Sequence, residues 1–552
     1  MATTSLRREP HPLTGTIYED LGEGRAKVQK QGSNAYGIFT WQGEWLEGEV
    51  TQADPMMLLY ISGPDLPRDH EVIWMAAPSE SFDGTKPLQP FPGTHMDDMK
   101  RIVSNYTQDH GQQTDEGWRS KGYFDPEFFL GNDRLPDAIP AAFKMRNSMP
   151  GGPKRISTDR YWKQEYHDLE VEKIWKKTWQ MACREDEIPN VGDYYVYDIA
   201  HLSYLVVRTE DGIVAHQNIC LHRGRLLKDC SGKGAAEFMC PYHGWAWNLD
   251  GSIKRITTEW DFPGVREDVA KLPPVKVATW EGFVFINPDP DAGPLEDFLG
   301  PVMMEHYKPF GFENRYVQAN VSKLIRCNWK VVMEAFMEAY HVIATHPHQM
   351  LTSGDLANTN YDVFGNFGRA AQFPSPGSPQ RGIEVSPEEA LAQYRATADG
   401  QRQFIGALTG EDLSGYADAV MNGGGFNDLF PNLHPWGGWM RIVFRFRPHG
   451  SNPEEAIMDI MLLAPWHKDR PKPAPAKLRK LGFDDAWTSA PELLSLSKIT
   501  DQDVANVPSV QRGLKAKNPP YVWYSSYQES KIRNFHVNYE RALGLADETP
   551  ND

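Results

Sequence analysis

Two short motifs, each joining a cysteine to a histidine, constrain this chain more than any other feature of its sequence. Cys220 and His222 form the first motif, and after seventeen intervening residues Cys240 and His243 form the second. Two thiolates and two neutral imidazoles can hold a tetrahedral zinc ion. They can also hold a [2Fe–2S] cluster in which histidines replace the cysteines on one iron. A hairpin between the motifs would let the two loops face each other, so the spacing predicts one shared metal centre.

The residues around these motifs favour the cluster over zinc. The loops read CLHRG and CPYHGW and lie in strand-like sequence that has no finger helix. They closely resemble the signature of Rieske iron–sulfur domains. Respiratory Rieske proteins carry additional cysteines where this chain has Arg225 and Tyr242, so the oxygenase or ferredoxin type is favoured, and Cys230 is interpreted as a thiol that binds no metal. The resemblance implies four cluster ligands: Cys220, His222, Cys240 and His243.

A second group of potential metal ligands follows about a hundred residues later, in NWKVVMEAFMEAYHVIATHPH. The periodicity predicts one helix in which Glu334, Glu338 and His341 share a face. His346 precedes Pro347, which disfavours helical backbone, so the helix should end there and let His346 turn back toward that face. Two imidazoles and one carboxylate form the triad of nonhaem Fe(II) sites that activate oxygen. The alternative is an amphipathic helix that carries two polar histidines.

This segment resembles the iron-binding region of Rieske nonhaem iron oxygenases, the catalytic alpha subunits of the aromatic-ring-hydroxylating oxygenase family. The resemblance implies His341 and His346 as ligands of a mononuclear Fe(II). It assigns the carboxylate ligand to Asp503, with Asp501 as the fallback, because the segment from 501 to 514 resembles the family's acidic pair before V-Q-x-G-L. Most of the family has Asp where this chain has Glu338, and the implied role is to join the two metal centres across a subunit boundary. Glu at this position is similar to the pattern of quaternary-ammonium oxygenases.

The motifs and shifts in composition divide the chain into three predicted parts. Residues 1–155 form an accessory segment of unknown role, residues 156–295 a Rieske domain with a lead-in helix, and residues 296–552 the mononuclear iron domain. The predicted fold class is α+β: an all-β Rieske domain beside a helix-grip-like catalytic domain, an antiparallel sheet with helices. In the N-terminal segment, the apolar run Met56–Ile61 is interpreted as a short strand. Alternation over 439–447 predicts a half-buried strand whose arginine face is basic or paired.

Composition excludes several classes of partner. The formal net charge is −17 over 552 residues, and no basic block offsets it, which argues against nucleic acid and anionic membranes. No apolar run has the length of a membrane span, and the amino terminus lacks a secretory pattern. Five cysteines are too few for a disulfide scaffold. We therefore expect a soluble, cytoplasmic protein.

The resemblance implies an enzyme, the oxygenase component of a multicomponent system that uses O2 and electrons from NAD(P)H. A ferredoxin or a reductase would deliver the electrons, and the subunits would form a homotrimer, possibly with a small beta subunit. An aromatic-lined region favours an apolar aromatic or polycyclic substrate. The alternatives are a quaternary-ammonium monooxygenase of the same family and, from another class, a non-catalytic Rieske electron-transfer protein. The aromatic residues of that region are Tyr361, Phe364, Phe367, Phe373, Phe426, Phe430, Trp436 and Trp439.

Overall fold

The structure, a computed structural model, describes residues 7–11, 14–63, 111–114, 117–120, 124–148, 155–346, 359–372 and 385–545. Within these ranges no helix is both long and apolar enough to cross a membrane. Four elements can be recognised in chain order: a small N-terminal sheet, a connecting segment, a β-rich unit and a larger sheet flanked by helices.

An antiparallel sheet of five strands opens the chain, and its strands follow one another in sequence order. A helix, Pro55–Ser62, packs against this sheet and places Met57, Leu58 and Ile61 in its core. We call residues 7–11 and 14–63 the N-terminal module. Its strands are Arg8–Pro10, Ile17–Gly22, Arg25–Gln29, Tyr36–Thr40 and Trp45–Gly48.

The strand predicted for Met56–Ile61 is wrong, because these residues form the helix of the module. Asp54 begins the helix, since its side chain accepts hydrogen bonds from the backbone N–H groups of Met56 and Met57. Pro55 follows at the first helical position, where its missing N–H costs nothing. The run is apolar on every side because the helix is buried between its own sheet and the helix Ser495–Ala516.

The predicted segment 1–155 contains a second, separately packed piece, residues 124–148. Here Asp133 is buried and accepts hydrogen bonds from the backbone N–H groups of Asp418 and Ala419 at 3.1 and 2.7 Å, which ties the piece to the catalytic part of the chain. The elements of this region are the strands Gly111–Thr114, Gly117–Ser120 and Arg155–Ser157, the helices Pro126–Gly131 and Ala141–Lys144, and the 3-10 turn Pro136–Ala138.

The β-rich unit contains a six-stranded antiparallel sheet and, beside it, a three-stranded sheet that carries the Cys/His loops. The Asp250-Gly251 turn joins the last two strands of the smaller sheet. Short helical turns lead into the unit: Thr158–Tyr161, Gln164–Glu170 and Val171–Trp175. In spatial order the strands of the larger sheet are Tyr194–Ile199, Leu202–Thr209, Gly212–Gln217, Pro274–Trp280, Phe283–Asn287 and Gln180–Arg184, and those of the smaller sheet are Phe238–Met239, Ala246–Trp247 and Ile253–Arg255.

The catalytic part is built on an eight-stranded sheet that is antiparallel except for its last pair. In spatial order its strands are Thr359–Phe364, Phe367–Gln372, Asp428–Leu429, Leu433–Pro435, Ile442–Pro448, Ala456–Pro465, Arg315–Ile325 and Arg479–Leu481. The helices around it are Leu295–Tyr307, Trp329–Glu334, Val342–Thr345, Pro387–Thr409, Asp418–Met421, Ser495–Ala516 and Ser530–Leu543. This architecture confirms the predicted fold class.

The β-rich unit and the catalytic sheet share one hydrophobic core. Trp175 and Tyr197 from the first unit and Trp329, Phe444 and Ile460 from the second belong to the same buried cluster. The ring centroids of Trp175 and Trp329 lie 4.9 Å apart in an edge-to-face arrangement. The shared core fixes the two units relative to each other within the chain.

The strand Ile442–Pro448 is buried on both faces, not on one as the alternation predicts. Its arginines are paired: Arg445 and Arg447 both bind the carboxylate of Asp459 on the neighbouring strand, at 2.8 and 2.9 Å. Burial by itself would raise the pKa of Asp459, but the two guanidinium groups outweigh it and hold that pKa at about 2. A charged triad inside the core is therefore part of how the sheet is held together.

Replacing Asp459 by Asn should destabilise the protein by about 3 kcal/mol, because two buried guanidinium groups lose their counter-charge. In the native protein this contribution is present above the ordinary pKa of the carboxyl group, and it is lost as the pH falls toward about 2. Denaturant unfolding followed by tryptophan fluorescence measures the difference. The control is Asp484→Asn, which breaks an exposed pair with Arg326 and should cost far less, because solvent screens that pair. Equal costs for both variants would contradict the role of the triad.

Candidate metal centres

The two Cys/His loops have the same backbone hydrogen bonds. In the first, the Cys220 N–H donates to the Arg225 carbonyl at 2.8 Å, and in the second the Cys240 N–H donates to the Trp245 carbonyl at 2.7 Å. In each loop the glycine four residues after the cysteine donates back to the cysteine carbonyl. Gly224 and Gly244 have φ values of 73° and 75°, a conformation that disfavours other residues. Two equivalent loops thus present equivalent pairs of side chains.

The side chains of the two loops converge as a cluster requires. The imidazole rings of His222 and His243 lie 4.6 Å apart, and the buried thiols of Cys220 and Cys240 lie within hydrogen-bonding reach of each other. Among the described residues, the Nδ1 atoms of both histidines are buried without a hydrogen-bond partner. Buried polar atoms are normally satisfied, so two such nitrogens beside two thiols fit a metal group as the missing partner. Cys230 is exposed and lies outside this arrangement.

Burial favours the neutral forms of Cys220 and His222. It raises the pKa of the Cys220 thiol, and the neighbouring Cys240 adds to this effect. It lowers the pKa of His222, as do the nearby His243 and Arg223. The ring of His222 also stacks on Trp245, with centroids 4.8 Å apart. A thiol that gives up its proton to a metal, beside a neutral imidazole, is the state from which such a group binds.

The second centre lies where the helix Trp329–Glu334 has ended, so the predicted single helix through His341 is wrong. The helix stops at Glu334, turns follow, and a short helix, Val342–Thr345, carries the chain to His346. Glu334 therefore does not share a helical face with Glu338 and His341. Its carboxylate points away and accepts hydrogen bonds from the hydroxyl groups of Tyr161 and Tyr524 at 2.9 and 2.7 Å.

Despite the broken helix, the structure brings His341, His346 and Asp503 together. One ligand atom from each lies within 4.8 Å of the others. The Nε2 atoms of both imidazoles face the same carboxylate oxygen of Asp503, at 3.3 Å from His341 and 2.7 Å from His346. Two imidazoles and one carboxylate at this spacing fit a nonhaem Fe(II) ion with open coordination positions. Asp501, the fallback, instead accepts hydrogen bonds from the backbone of Trp487 at 2.7 Å and lies outside the cluster.

Charge holds this cluster together in the absence of a metal. Burial by itself would raise the pKa of Asp503, but His346 and His341 outweigh it and lower that pKa to about 2. Burial would likewise lower the pKa of His341, but Glu338 and Asp503 outweigh it and raise that pKa to about 10. A metal ion that binds at neutral pH must therefore displace a proton from His341.

Each imidazole is also held from behind through its Nδ1 atom. Glu338 accepts at 2.6 Å from His341 Nδ1, and its second oxygen accepts the His341 backbone N–H at 2.9 Å. Gln502 Oε1 lies 3.0 Å from His346 Nδ1. Such outer hydrogen bonds orient metal-binding histidines and leave Nε2 free for the ion. No sequence pattern assigns a role to Gln502, and its position next to Asp503 was the one feature that could have pointed to a place at the metal site.

The aromatic residues predicted to line a pocket fall into two groups. Phe367, Phe430 and Trp439 are buried within the hydrophobic cores. Tyr361, Phe426 and Trp436 form a row beside the iron centre, because the hydroxyl group of Tyr361 accepts a hydrogen bond from the Ala339 N–H, next to Glu338. Phe364 packs against the same hydrophobic cluster as Phe367 and Trp439, and Phe373 lies outside the described residues.

Two family models match the parts of the chain that hold these centres. The Rieske [2Fe-2S] domain matches residues 178–269, and the ring hydroxylating alpha subunit (catalytic domain) matches residues 306–545. The chain belongs to the Rieske oxygenase alpha-subunit family. It is therefore a Rieske nonhaem iron oxygenase family member with a [2Fe–2S] domain and a mononuclear iron domain.

Curated relatives of this chain act on different substrate classes. It is 30% identical over 226 residues to the carnitine monooxygenase oxygenase subunit of Escherichia coli, covering 40% of this chain and 55% of the relative. It is 34% identical over 197 residues to the glycine betaine monooxygenase oxygenase subunit of Pseudomonas aeruginosa, covering 35% and 44%. It is 32% identical over 212 residues to the anthranilate 1,2-dioxygenase large subunit of Acinetobacter baylyi, covering 36% and 44%. The chain thus spans about half the length of these relatives.

Solved structures share the fold of this chain. The quaternary ammonium Rieske monooxygenase CntA in complex with L-carnitine has a TM-score of 0.54 and 19% identity, covering 76% of this chain and 99% of that one. A naphthalene 1,2-dioxygenase variant bound to phenanthrene has a TM-score of 0.55 and 18% identity, covering 72% and 94%. At these identities the likeness extends to the fold alone.

Replacing Cys220 by Ser should remove the visible absorption of the iron–sulfur cluster, because one of the two thiolates would be lost. Cys230→Ser is the matched control, since that cysteine is exposed and outside the centre. Absorption spectra and iron content per chain measure both variants. A Cys220→Ser protein with a full Rieske spectrum, or a Cys230→Ser protein without one, would contradict the assignment of the ligands.

Proposed function

We propose that the chain is the oxygenase component of a multicomponent Rieske system and oxidises a quaternary ammonium compound with O2. In this proposal Cys220, His222, Cys240 and His243 hold the [2Fe–2S] cluster, and His341, His346 and Asp503 hold a mononuclear Fe(II). The observation that carries it is the second centre: two imidazoles converge on one buried carboxylate through Nε2, while both Nδ1 atoms are held from outside. An electron carrier has no use for such a site.

When bound, the cluster would supply single electrons and the mononuclear iron would supply a site for O2. The chain's own residues prepare that site. Glu338 and Gln502 fix the orientation of the two imidazoles, and Asp503 provides the negative charge that a divalent cation needs. The carboxylate of Glu338 also accepts a hydrogen bond from His341 Nδ1, which leaves Nε2 of that ring as the atom that a metal would bind.

The row of aromatic residues beside the iron centre is compatible with a cationic substrate. Ring centroids lie 6.2 Å apart between Tyr361 and Phe426, 6.1 Å between Phe426 and Trp436, and 5.8 Å between Trp436 and Phe444. Aromatic faces attract quaternary ammonium groups through cation–π interactions. They also suit an uncharged arene, so the row alone favours neither class.

Carboxylates near the row favour the cation. Glu338 is adjacent in sequence to Ala339, whose N–H donates to the Tyr361 hydroxyl group. Glu529 is close enough to Glu338 and Glu334 for their charges to raise its pKa. Burial raises the pKa of Glu529 to about 7, and the neighbouring carboxylates add to this rise. The ammonium group of Lys531 already lies 4.7 Å from the Phe426 ring centroid, so the row holds a cation beside these carboxylates. Curated relatives that act on carnitine and glycine betaine support the same choice over the apolar aromatic substrate that the sequence favours.

The partners and the assembly follow from the proposed activity. A separate reductase or ferredoxin would deliver electrons from NAD(P)H to the cluster at His222 and His243. A head-to-tail homotrimer would bring His243 of one subunit toward His341 of the next through Glu338, and such a heterologous contact closes as a ring. A small beta subunit and a cytoplasmic location stay predictions from the sequence.

Single turnover of the reduced protein with labelled O2 tests the substrate class. Given a panel of quaternary amines, arenes and steroids, the protein should convert a quaternary amine and place one labelled oxygen in the products. Mass spectrometry identifies the product, and iron content should be about three per chain, two in the cluster and one in the second centre. His341→Ala is the control that should give no product. Conversion of an arene alone would overturn the substrate proposal, and about two irons per chain would overturn the oxygenase proposal.

Replacing Glu338 by Gln should leave both metals bound but slow electron transfer from the cluster to the mononuclear iron. The amide keeps the shape of the side chain and removes the charge that holds the His341 Nδ1 proton. Rapid mixing of the reduced protein with O2 and substrate, followed by absorption of the cluster, gives the rate of its oxidation. An unchanged rate with full metal content would remove the bridging role of Glu338.

A further inference from the structure

The N-terminal module reaches the iron centre directly. Gln502 is fully buried, and while its Oε1 atom faces His346 Nδ1 at 3.0 Å, its Nε2 atom donates to the Met56 carbonyl at 3.1 Å. Met56 belongs to the helix Pro55–Ser62 of the module. One amide side chain therefore joins a proposed iron ligand to a part of the chain that lies outside the residues matched by either family model.

The Met56 carbonyl decides which way the amide of Gln502 points. A carbonyl only accepts hydrogen bonds, so the NH2 group of Gln502 must face Met56 and its oxygen must face His346. An amide oxygen at that position accepts a hydrogen bond and cannot donate one, so His346 Nδ1 must carry the hydrogen. With its hydrogen fixed on Nδ1, the imidazole can bind a metal only through Nε2, the atom that faces Asp503 at 2.7 Å.

The position of that carbonyl is set by the module and not by the catalytic domain. The side chain of Asp54 caps the helix by accepting from the N–H groups of Met56 and Met57 at 2.8 and 3.1 Å. Asp54 is held in turn by the sheet, since its backbone N–H donates to the Tyr18 hydroxyl at 2.7 Å and its side chain lies 3.1 Å from His11 Nε2. The fold of the module thus places the Met56 carbonyl.

A second contact keeps the module on the helix that carries Asp503. Lys498 Nζ, one turn before Gln502 on the helix Ser495–Ala516, donates to the Tyr60 carbonyl at 3.1 Å. Arg7 of the module donates to the same carbonyl at 3.0 Å. The module and the helix are therefore joined at both ends of Pro55–Ser62.

We infer that the N-terminal module contributes to the iron centre. Its Met56 carbonyl orients Gln502, and Gln502 fixes the tautomer of His346 that can bind a metal through Nε2. Gln502 is a positioning residue, since it acts on the metal only through His346. The inference rests on the proposed ligation of iron by His346. It gives a role to the part of the chain whose purpose the sequence leaves open.

The test uses the full chain with its cluster, after the mononuclear iron has been removed by a chelator, and Co(II) as the probe. Gln502→Leu should weaken Co(II) binding 10- to 100-fold, the usual effect of losing an outer hydrogen bond to a metal-binding histidine. Gln502→Glu keeps an acceptor for His346 Nδ1 and should bind Co(II) at least tenfold more tightly than Gln502→Leu. Ser509→Ala, an exposed position on the same helix, is the control and should bind as the wild type does.

Reciprocity supplies the second readout. If the module strengthens metal binding, Co(II) must stabilise the module by the same free energy. Co(II) should therefore slow amide hydrogen exchange across residues 55–62 in the wild type but not in Gln502→Leu or Gln502→Glu, both of which lose the donor to Met56. Three results would each overturn the inference. They are unchanged Co(II) affinity in Gln502→Leu, equally weak Co(II) binding by the two variants, and amide exchange across residues 55–62 that Co(II) does not slow in the wild type. A wild type that binds no Co(II) at all would instead overturn the proposed iron site.

Discussion

The arrangement of the iron centre depends on one buried negative charge, the carboxylate of Asp503. A buried carboxylate is costly unless positive charge and hydrogen bonds compensate it. The imidazoles of His341 and His346 both bond to Asp503, and Glu338 and Asp503 outweigh burial and raise the pKa of His341 to about 10. A divalent cation between the same three side chains would take over the role of the protons. The three side chains that share protons are therefore the same ones that would share a metal ion.

That geometry is maintained by parts of the chain that lie far apart in sequence. Glu338 holds His341 from three residues away, but Gln502 holds His346 across 156 residues and is itself held across 446 residues by Met56. The core shared by the β-rich unit and the catalytic sheet keeps the elements of the two metal domains in register. The precision of the iron centre is thus a property of the whole fold and not of the segment 328–346.

The resemblance to Rieske oxygenases implied the fold class and the grouping of Asp503 with His341 and His346. Local patterns in the sequence predicted the two facing Cys/His loops and the return of His346 toward His341. These patterns failed where contacts with residues distant in the sequence determine the local structure. The predicted helical face with Glu334 is wrong because the helix ends there and its carboxylate binds Tyr161 and Tyr524. Met56–Ile61 has no periodicity that separates strand from helix, and the Asp54-Pro55 cap was the signal that would have decided it. The contact between Gln502 and Met56 has no counterpart in any local pattern.

Glu338 has a side chain one methylene group longer than the Asp that most of the family carries at this position. Its side chain folds back so that one oxygen binds the ring and the other binds the backbone N–H of the same residue, His341. Both oxygens are therefore used within the subunit. A carboxylate oxygen has two lone pairs, however, so each can accept one further hydrogen bond. A histidine N–H from a neighbouring subunit could be bound without releasing His341, and the local hydrogen bonds would fix the carboxylate in place for it.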